Sequence, residues 1–494
     1  MEYNLLEENW IPVLYADGQC ERVGIRRALI EAGKIRQIAA SNPMDRVAIL
    51  RFLLAVLYWC KGNPPSSEDA VIENSFPVEW FTKLDKNKEC FNLLGEGKRF
   101  YQDVTARRSR AATDLLQEIP TGNNFWHFRH STDEQNGLCL SCCAMGLLRL
   151  PLFSVSGLPD LKSGINGTPP IYILPLGNSL LETLYANWVS WEDLGTPAWV
   201  QPNTRPEADK SVPLLVGLTV LARQVWLHAP EGPDACIGCG AEKLEIIRTC
   251  MYQTAGKLES GLWNDPHVIY LNAETRKALK AKDLTAAGRF RMDRPWPELL
   301  SGIAESAKPR PDHRPTRRPP TFCAHHVGIA ESAKPSPGHR PTSLFVVGFA
   351  TDQAKNIDVW ERTINAPRTE SVQETQSQIQ RWSAECRKLE ARVGRSKAMG
   401  AAILSAIRPA VEHRVSANAA SLVANGAAAW QQATSEYAQL MSVIAKSLSP
   451  GTTTAAVQRR KRIADALPDM RPKADSTKKA ATAKNIRANK GRKQ

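Results

Sequence analysis

Two Cys-x-x-Cys pairs carry the clearest chemistry in this 494-residue chain: Cys139-Leu140-Ser141-Cys142 and Cys236-Ile237-Gly238-Cys239. A two-residue gap lets both thiolates of a knuckle turn onto one ion, and two knuckles complete a tetrahedral four-cysteine zinc set. Gly238 and Gly240 ease the tight turn of the second pair. From Cys142 to Cys236 the separation is 94 residues, far more than the roughly 15–20 of a local zinc ribbon. A shared site therefore requires the fold to bring the pairs together. Separately buried thiols, or less readily a redox pair, are the other readings. A shared site would be structural, since four cysteines leave no open position for a water. Cys143 is an additional thiol that can substitute or simply pack. The eleven cysteines are odd in number and scattered, which argues against a disulfide framework in a reducing compartment.

No second constellation supports catalysis. The sequence has no Walker loop, no His-Glu-x-x-His and no Gly-x-Ser-x-Gly elbow, and its acidic residues are dispersed. His325-His326 beside Cys323 lies in a Pro-rich stretch and reads as a solvated loop. The expectation is a protein that is not an enzyme. The net charge of +14 and pI near 9.3 point towards polyanions. Thirteen Lys/Arg against three Asp between Arg459 and Lys493 hold +10 of that charge. The basic signal is thus mostly a tail, either a solvated end or a source of salt-sensitive phosphate contacts. The N-terminus MEYNLLEENW is acidic and precedes no signal-like apolar run. No apolar stretch reaches the ~20 residues of a membrane span. A cytoplasmic location is expected.

The elements that must position these residues are partly legible. Asn42-Pro43-Met44-Asp45 combines a cap, a first-turn proline and a dipole-compatible acid. It predicts a buried helix through Val47, Leu50, Leu54 and Leu57. Between residues 100 and 300, short apolar runs such as Ile171–Pro175 and Leu214–Leu221 alternate with Pro/Gly turns, giving an irregular α/β region with several small sheets. Residues 301–343 contain eight Pro and a duplicated octapeptide, GIAESAKP, at Gly302–Pro309 and Gly328–Pro335. Two copies are too few for a solenoid and suggest a flexible or polyproline-like insert. Val372, Ile379, Trp382, Cys386, Leu389 and Val393, then Trp430, Ala433, Tyr437, Leu440 and Ile444, fall at helical spacings and predict a C-terminal helical bundle. The expected fold class is α+β. Its domains are an N-terminal mixed α/β domain over 1–358, the bundle over 359–466 and a basic disordered tail over 467–494.

Several segments, taken in order, resemble the large subunit of type I-E CRISPR Cascade. Asn4–Val13 (NLLEENWIPV) looks like that family's opening strand. Phe91-Asn-Leu-Leu followed by Arg99-Phe-Tyr-Gln-Asp103 is similar to another stretch, and Pro120-Thr-Gly-Asn-Asn124 with His130-Ser131 to the loop before the first Cys pair. Both Cys pairs, Lys162-Ser-Gly164 with Gly167-Thr-Pro169, and Gly261-Leu-Trp263 with Pro266-His267 complete the set. The resemblance covers roughly residues 1–300 and 344–365.

It implies a subunit of an RNA-guided complex that probes duplex DNA for a short PAM from the minor groove and helps open the duplex for an R-loop. The guide RNA reads the rest of the target, and minor-groove readout suits a reader that tolerates several PAMs. The implied partners are double-stranded target DNA, the crRNA-containing Cascade subunits and an effector helicase-nuclease. The implied cofactor is structural Zn2+ on Cys139, Cys142, Cys236 and Cys239. The family's wedge hairpin resembles Val347–Ala354, and Gln353 falls on the wedge glutamine, whose amide both donates and accepts towards base edges. Asp352 stands in place of an Asn. The family's glycine loop is reduced to Gly157. Its lysine falls on Thr254, with Lys257 a nearby substitute. Asn123, Asn124, Phe125 and His130 match a loop that contacts the base of the complex and engages DNA. Arg381, Arg387, Lys388, Arg392 and Arg395 are candidates for a displaced-strand path. The rival readings are a Cascade-like protein with its own nuclease and a generic zinc-stabilised nucleic-acid-binding protein.

Overall fold

In the computed structural model, residues 2–65, 75–117, 137–156, 161–202, 204–207, 210–256, 258, 263–268, 270–272, 285–287, 343–352, 355–364 and 453–458 are described. Helix Pro43–Lys61 organises the first unit. The Asn42 side chain accepts from the Met44 amide at 2.9 Å, Pro43 occupies the first turn, and Gly62 ends the helix at φ 90. Such a cap stabilises by ~1 kcal/mol. Beyond the first turn the helix is buried almost all round, from Val47 to Trp59. It therefore forms a core axis rather than an amphipathic surface helix. Helices Leu140–Phe153, Leu180–Asn187 and Leu214–Thr219 pack against it.

Aromatic side chains fill one end of this core. Phe52 meets Phe100 edge-on at 5.4 Å and Trp199 at 5.6 Å, while Phe91 lies nearly parallel to Phe100 at 6.0 Å. Gln102, 4% exposed, donates to the Leu93 carbonyl and accepts from the Leu227 amide. The Phe91–Leu94 and Arg99–Asp103 motifs are thus core and staple. In the opening motif only Tyr3–Asn4 and Ile11–Tyr15 are strands, separated by a turn. Trp10 closes that turn by donating to the Leu5 carbonyl at 2.9 Å.

Six sheets of two or three strands surround the helices among the described residues, as the alternating apolar runs and turns suggest. Leu214–Thr219 is a helix and Tyr172–Leu176 a strand. Strand Ser343–Asp352 lies between Tyr172–Leu176 and Lys355–Ile364, antiparallel to both. The chain divides into two compact units: Met1–Arg294 with Gly302–Val372, and Pro295–Ser301 with Gln373–Gln494. Strand Lys355–Ile364 runs past residue 358 and belongs wholly to the first unit. The duplicated Pro-rich segment, both helical stripes and the basic tail lie outside the described residues.

One ionic cluster sits inside this core. The Arg51 guanidinium, on the central helix, donates to both carboxylate oxygens of Asp265 at 2.7 and 2.9 Å. Asn166 donates to Asp265 at 2.8 Å, and so does the His267 amide at 2.9 Å. The His267 Nδ1 lies 2.9 Å from Arg51. Because arginine can only donate, Nδ1 must accept and the ring is neutral. Burial first, and then the Arg51 charge, pushes His267 down to about 3. Burial acts to raise Asp265, but Arg51 overrides it and holds the carboxyl below its usual range. The Gly-Leu-Trp-x-x-Pro-His motif thus supplies the internal partner of the central helix.

Removing one member of a buried pair strands the other charge, so Arg51→Met should lower stability by ~3–5 kcal/mol in denaturant unfolding. His267 has a folded value of about 3 against 6.5 in the unfolded chain. Its contribution is therefore fully present above the unfolded value and is lost as pH falls from there towards the folded one. His267→Gln should flatten that part of the pH dependence of the unfolding midpoint.

Candidate functional site

The cysteine pairs meet through a small antiparallel sheet. Leu244–Ile247 lies between Pro233–Asp234 and Leu138–Cys139, with Ile246 opposite Cys139. Cys139 also caps helix Leu140–Phe153, which puts Cys142 in its first turn, where the helix N-terminus favours thiolates. The second knuckle is shaped by its backbone. The Gly240 amide bonds the Cys236 carbonyl at 2.8 Å, and the Cys236 amide bonds the Ala241 carbonyl at 2.9 Å. Gly240 sits at φ +72, and a Cβ on Gly238 would stand 3.0 Å from the Cys142 sulfur. Glycine is needed at the first by conformation and at the second by space.

The four sulfurs lie within 4.8 Å of one another, with Cys139 and Cys239 at 3.9 Å. Thiolates ~2.3 Å from a tetrahedral ion stand ~3.8 Å apart, so the donor set fits one metal ion. Without a cation the sulfurs must share protons. Hydrogen bonds to Cys139, Cys236 and Cys239 push the Cys142 thiol up. Hydrogen bonds from Cys139 and Cys142 hold Cys236 far down, and one from Cys142 brings Cys239 to about 6. A dication would stabilise all four as thiolates. Cys143 is fully buried, points to the Leu138 carbonyl at 3.8 Å and has its thiol raised by burial. It packs outside the four-sulfur group.

The second feature is the hairpin of Ser343–Asp352 and Lys355–Ile364. Its base is clamped. Ser343–Val347 pairs with Leu176–Tyr172, and Arg46 of the central helix binds Glu361 at 2.5 Å while lying 5.1 Å over the Phe345 ring. Phe349, 2% exposed, packs edge-on against Phe153 at 5.9 Å. From Gly348 outward, among the described residues, the strand pairs only with its hairpin partner, and the register shifts between Ala350 and Thr351. Such a bulge raises local twist and re-aims the residues beyond it. Asp352 pairs with Lys355; the two residues between them, Gln353 and Ala354, lie outside the described residues.

So do most of the other expected DNA-contacting positions. Gly157, Lys257, Asn123, Asn124, Phe125, His130, Arg381, Arg387, Lys388, Arg392 and Arg395 are outside the described residues. Thr254 ends strand Thr249–Thr254, opposite Arg223. The residues sequence reasoning missed are Arg51, Asp265 and Arg223. Single charges among apolar neighbours give no pairing signal until the fold is known.

The core, the four-cysteine centre and the clamped hairpin define a mixed α/β body built around a structural metal knuckle. The family model for CRISPR-associated protein Cse1 matches residues 4–469, and the chain belongs to that family, the large subunits of type I-E Cascade. The CRISPR-associated protein CasA/Cse1 of Thermus thermophilus is 31% identical over 219 residues, which cover 41% of this chain and 43% of that relative. The matched stretch thus spans less than half the length of the curated relative. The solved structure of Thermus thermophilus CasA (Cse1) superposes with a TM-score of 0.69 at 19% identity, over 95% of this chain and 99% of that one. A chain of a CRISPR RNA-guided surveillance complex superposes with a TM-score of 0.66 at 14% identity, over 95% and 99%. At these identities the likeness shows the shared fold. No helix among the described residues is long and apolar enough to cross a membrane.

The purified chain should carry a tightly held metal ion, measurable by elemental analysis. Cys142→Ser and Cys236→Ser should each lose it and melt at lower temperature, because structural metal binding is folding energy. Cys143→Ser should keep it.

Proposed function

We propose that this chain is the DNA-reading subunit of a cytoplasmic RNA-guided antiviral complex. It recognises the PAM of double-stranded DNA from the minor groove, starts duplex opening and supports R-loop formation. The observation that carries the reading is the hairpin, clamped at its base by Arg46 and Phe349 and twisted by a bulge just before Gln353. A wedge must push on a base step without yielding, and inserting one costs a few kcal/mol of unstacking per step. Two-residue hairpin connections favour Asn-Gly or Asp-Gly. Gln353-Ala354 stands there instead, as expected where a side chain is kept for its contacts.

In this reading Gln353 is the wedge. Asp352 flanks it, Gly157 allows close backbone approach, and Lys257 takes the place of the lysine missing at Thr254. Asn123, Asn124, Phe125 and His130 engage DNA at the base of the complex. Arg381, Arg387, Lys388, Arg392 and Arg395 guide the displaced strand on a helical bundle, and the basic tail adds salt-sensitive affinity. The ion on Cys139, Cys142, Cys236 and Cys239 is zinc with a structural role. When bound, it neutralises the thiolates and locks the two knuckles together. The crRNA-containing subunits hold the chain in place, and an effector helicase-nuclease is recruited to cut. No bond-making step falls to this chain.

The test is binding of the chain, assembled with its crRNA-containing partners, to a duplex library randomised at the PAM. A few sequences should be enriched, and Gln353→Ala should slow R-loop formation by at least about tenfold, the scale of losing one unstacking contact. PAM-blind binding with an unaffected variant would instead support a generic polyanion binder. Metal-dependent cleavage by the isolated chain would support the nuclease rival.

A further inference from the structure

Arg223 is 2% exposed, yet its hydrogen bonds among the described residues all go to neutral oxygens. The guanidinium donates to the Val155 carbonyl at 2.8 Å, to the Ala222 carbonyl at 3.0 Å, to the Tyr252 hydroxyl at 3.2 Å and, closely, to the Lys162 carbonyl. A buried cation without a carboxylate is costly to desolvate, and an apolar side chain of similar size would stabilise the core more. What the guanidinium adds is geometry. Its planar fork reaches several carbonyls at fixed angles.

Those carbonyls belong to the segments around the proposed DNA-reading positions. Val155 and Lys162 bracket residues 156–161, which include Gly157. One step further out, the Gly164 amide bonds the Ser154 carbonyl at 3.2 Å. Gly164 has no room for a side chain, since a Cβ would stand 2.9 Å from the Pro151 carbonyl. The neck of the segment is therefore tied twice, by a backbone bond and by Arg223. On its other side, Arg223 pairs across the sheet with Thr254. The chain then runs on through Ala255, whose amide bonds the Ala222 carbonyl at 3.1 Å, towards Lys257.

We propose that Arg223 is a positioning residue that fixes the segment carrying Gly157 against the segment carrying Lys257, so that both meet the same stretch of duplex. The inference rests on the PAM-reading function above. Arg223 is buried and does not itself touch DNA. It sets the spacing of two groups that must act together, and that spacing governs discrimination between sequences more than total affinity, which phosphate contacts dominate.

The experiment uses the chain in its complex with guide RNA, at one fixed salt concentration. It measures affinity for duplexes bearing a preferred and a scrambled PAM. Arg223→Lys keeps the charge and loses the fork. Tyr252→Phe removes the hydroxyl that holds the guanidinium and is the milder variant should the first fail to fold. Both should retain the bound metal. The preferred-to-scrambled ratio should fall about tenfold for Arg223→Lys and about threefold for Tyr252→Phe, the scale of losing hydrogen bonds to a charged group. Affinity for the scrambled duplex and its salt slope should stay the same. An unchanged ratio in folded variants overturns the inference while leaving PAM reading intact. An equal loss on both duplexes, tracking a lower melting temperature, overturns it in favour of a purely structural role. A wild-type complex that shows no preference overturns both readings together.

Discussion

The Arg51–Asp265 pair is the constraint on which the first unit turns. Two charges removed from water cost several kcal/mol each, and mutual attraction offsets this only with good geometry and satisfied remaining donors and acceptors. Here the pair is bidentate, Asn166 and the His267 amide complete the carboxylate, and the Tyr172 ring lies 5.1 Å from the guanidinium. The cluster has one way to be satisfied, so it fixes the register between the central helix and the loop around Asp265. An apolar cluster of equal volume would tolerate several registers.

That register propagates outward. The His267 carbonyl accepts from the Ile173 amide at 2.8 Å, and Tyr172 bridges to Val268. Strand Tyr172–Leu176 is therefore set by the ionic cluster, and it is the strand on which the hairpin is laid. Arg46, one turn before Arg51 on the same helix, reaches the hairpin from the other side. The arrangement explains how a long two-stranded projection, marginal by itself in water, can be held at a defined angle. The cysteine centre plays the same part elsewhere. Its strands pair over only two residues each, too few to hold without the four sulfurs drawn together beside them.

The motifs that mark the family are mostly not contacts with a ligand. Phe91, Phe100 and Gln102 pack or staple the core, Trp10 closes a turn, Asp265 and His267 complete the buried pair, and Gly164 fits under a carbonyl. Such positions tolerate few residue types because the interior is close-packed and its polar groups must be paired. At 19% identity the fold is nevertheless kept over nearly the whole chain, which locates the sequence constraint in these few positions. The proposed DNA-reading residues depart more freely, as at Asp352 and Thr254.

By itself the sequence determined the local events. Asn42-Pro43 started a helix, alternating apolar runs and turns gave small sheets, and Cys-x-x-Cys spacing formed knuckles, since caps, turns and knuckles depend on neighbours within a few residues. The family order of motifs was equally legible, because it needs no geometry. Only the tertiary structure decided that the two knuckles share one centre across 94 residues and that Cys143 stands outside it. It alone paired Arg51 with Asp265, and placed Arg223 between two loops. These are meetings between residues far apart in the chain, and their partners are chosen by how the layers pack and by the need to satisfy every buried charge, information that no window of sequence contains.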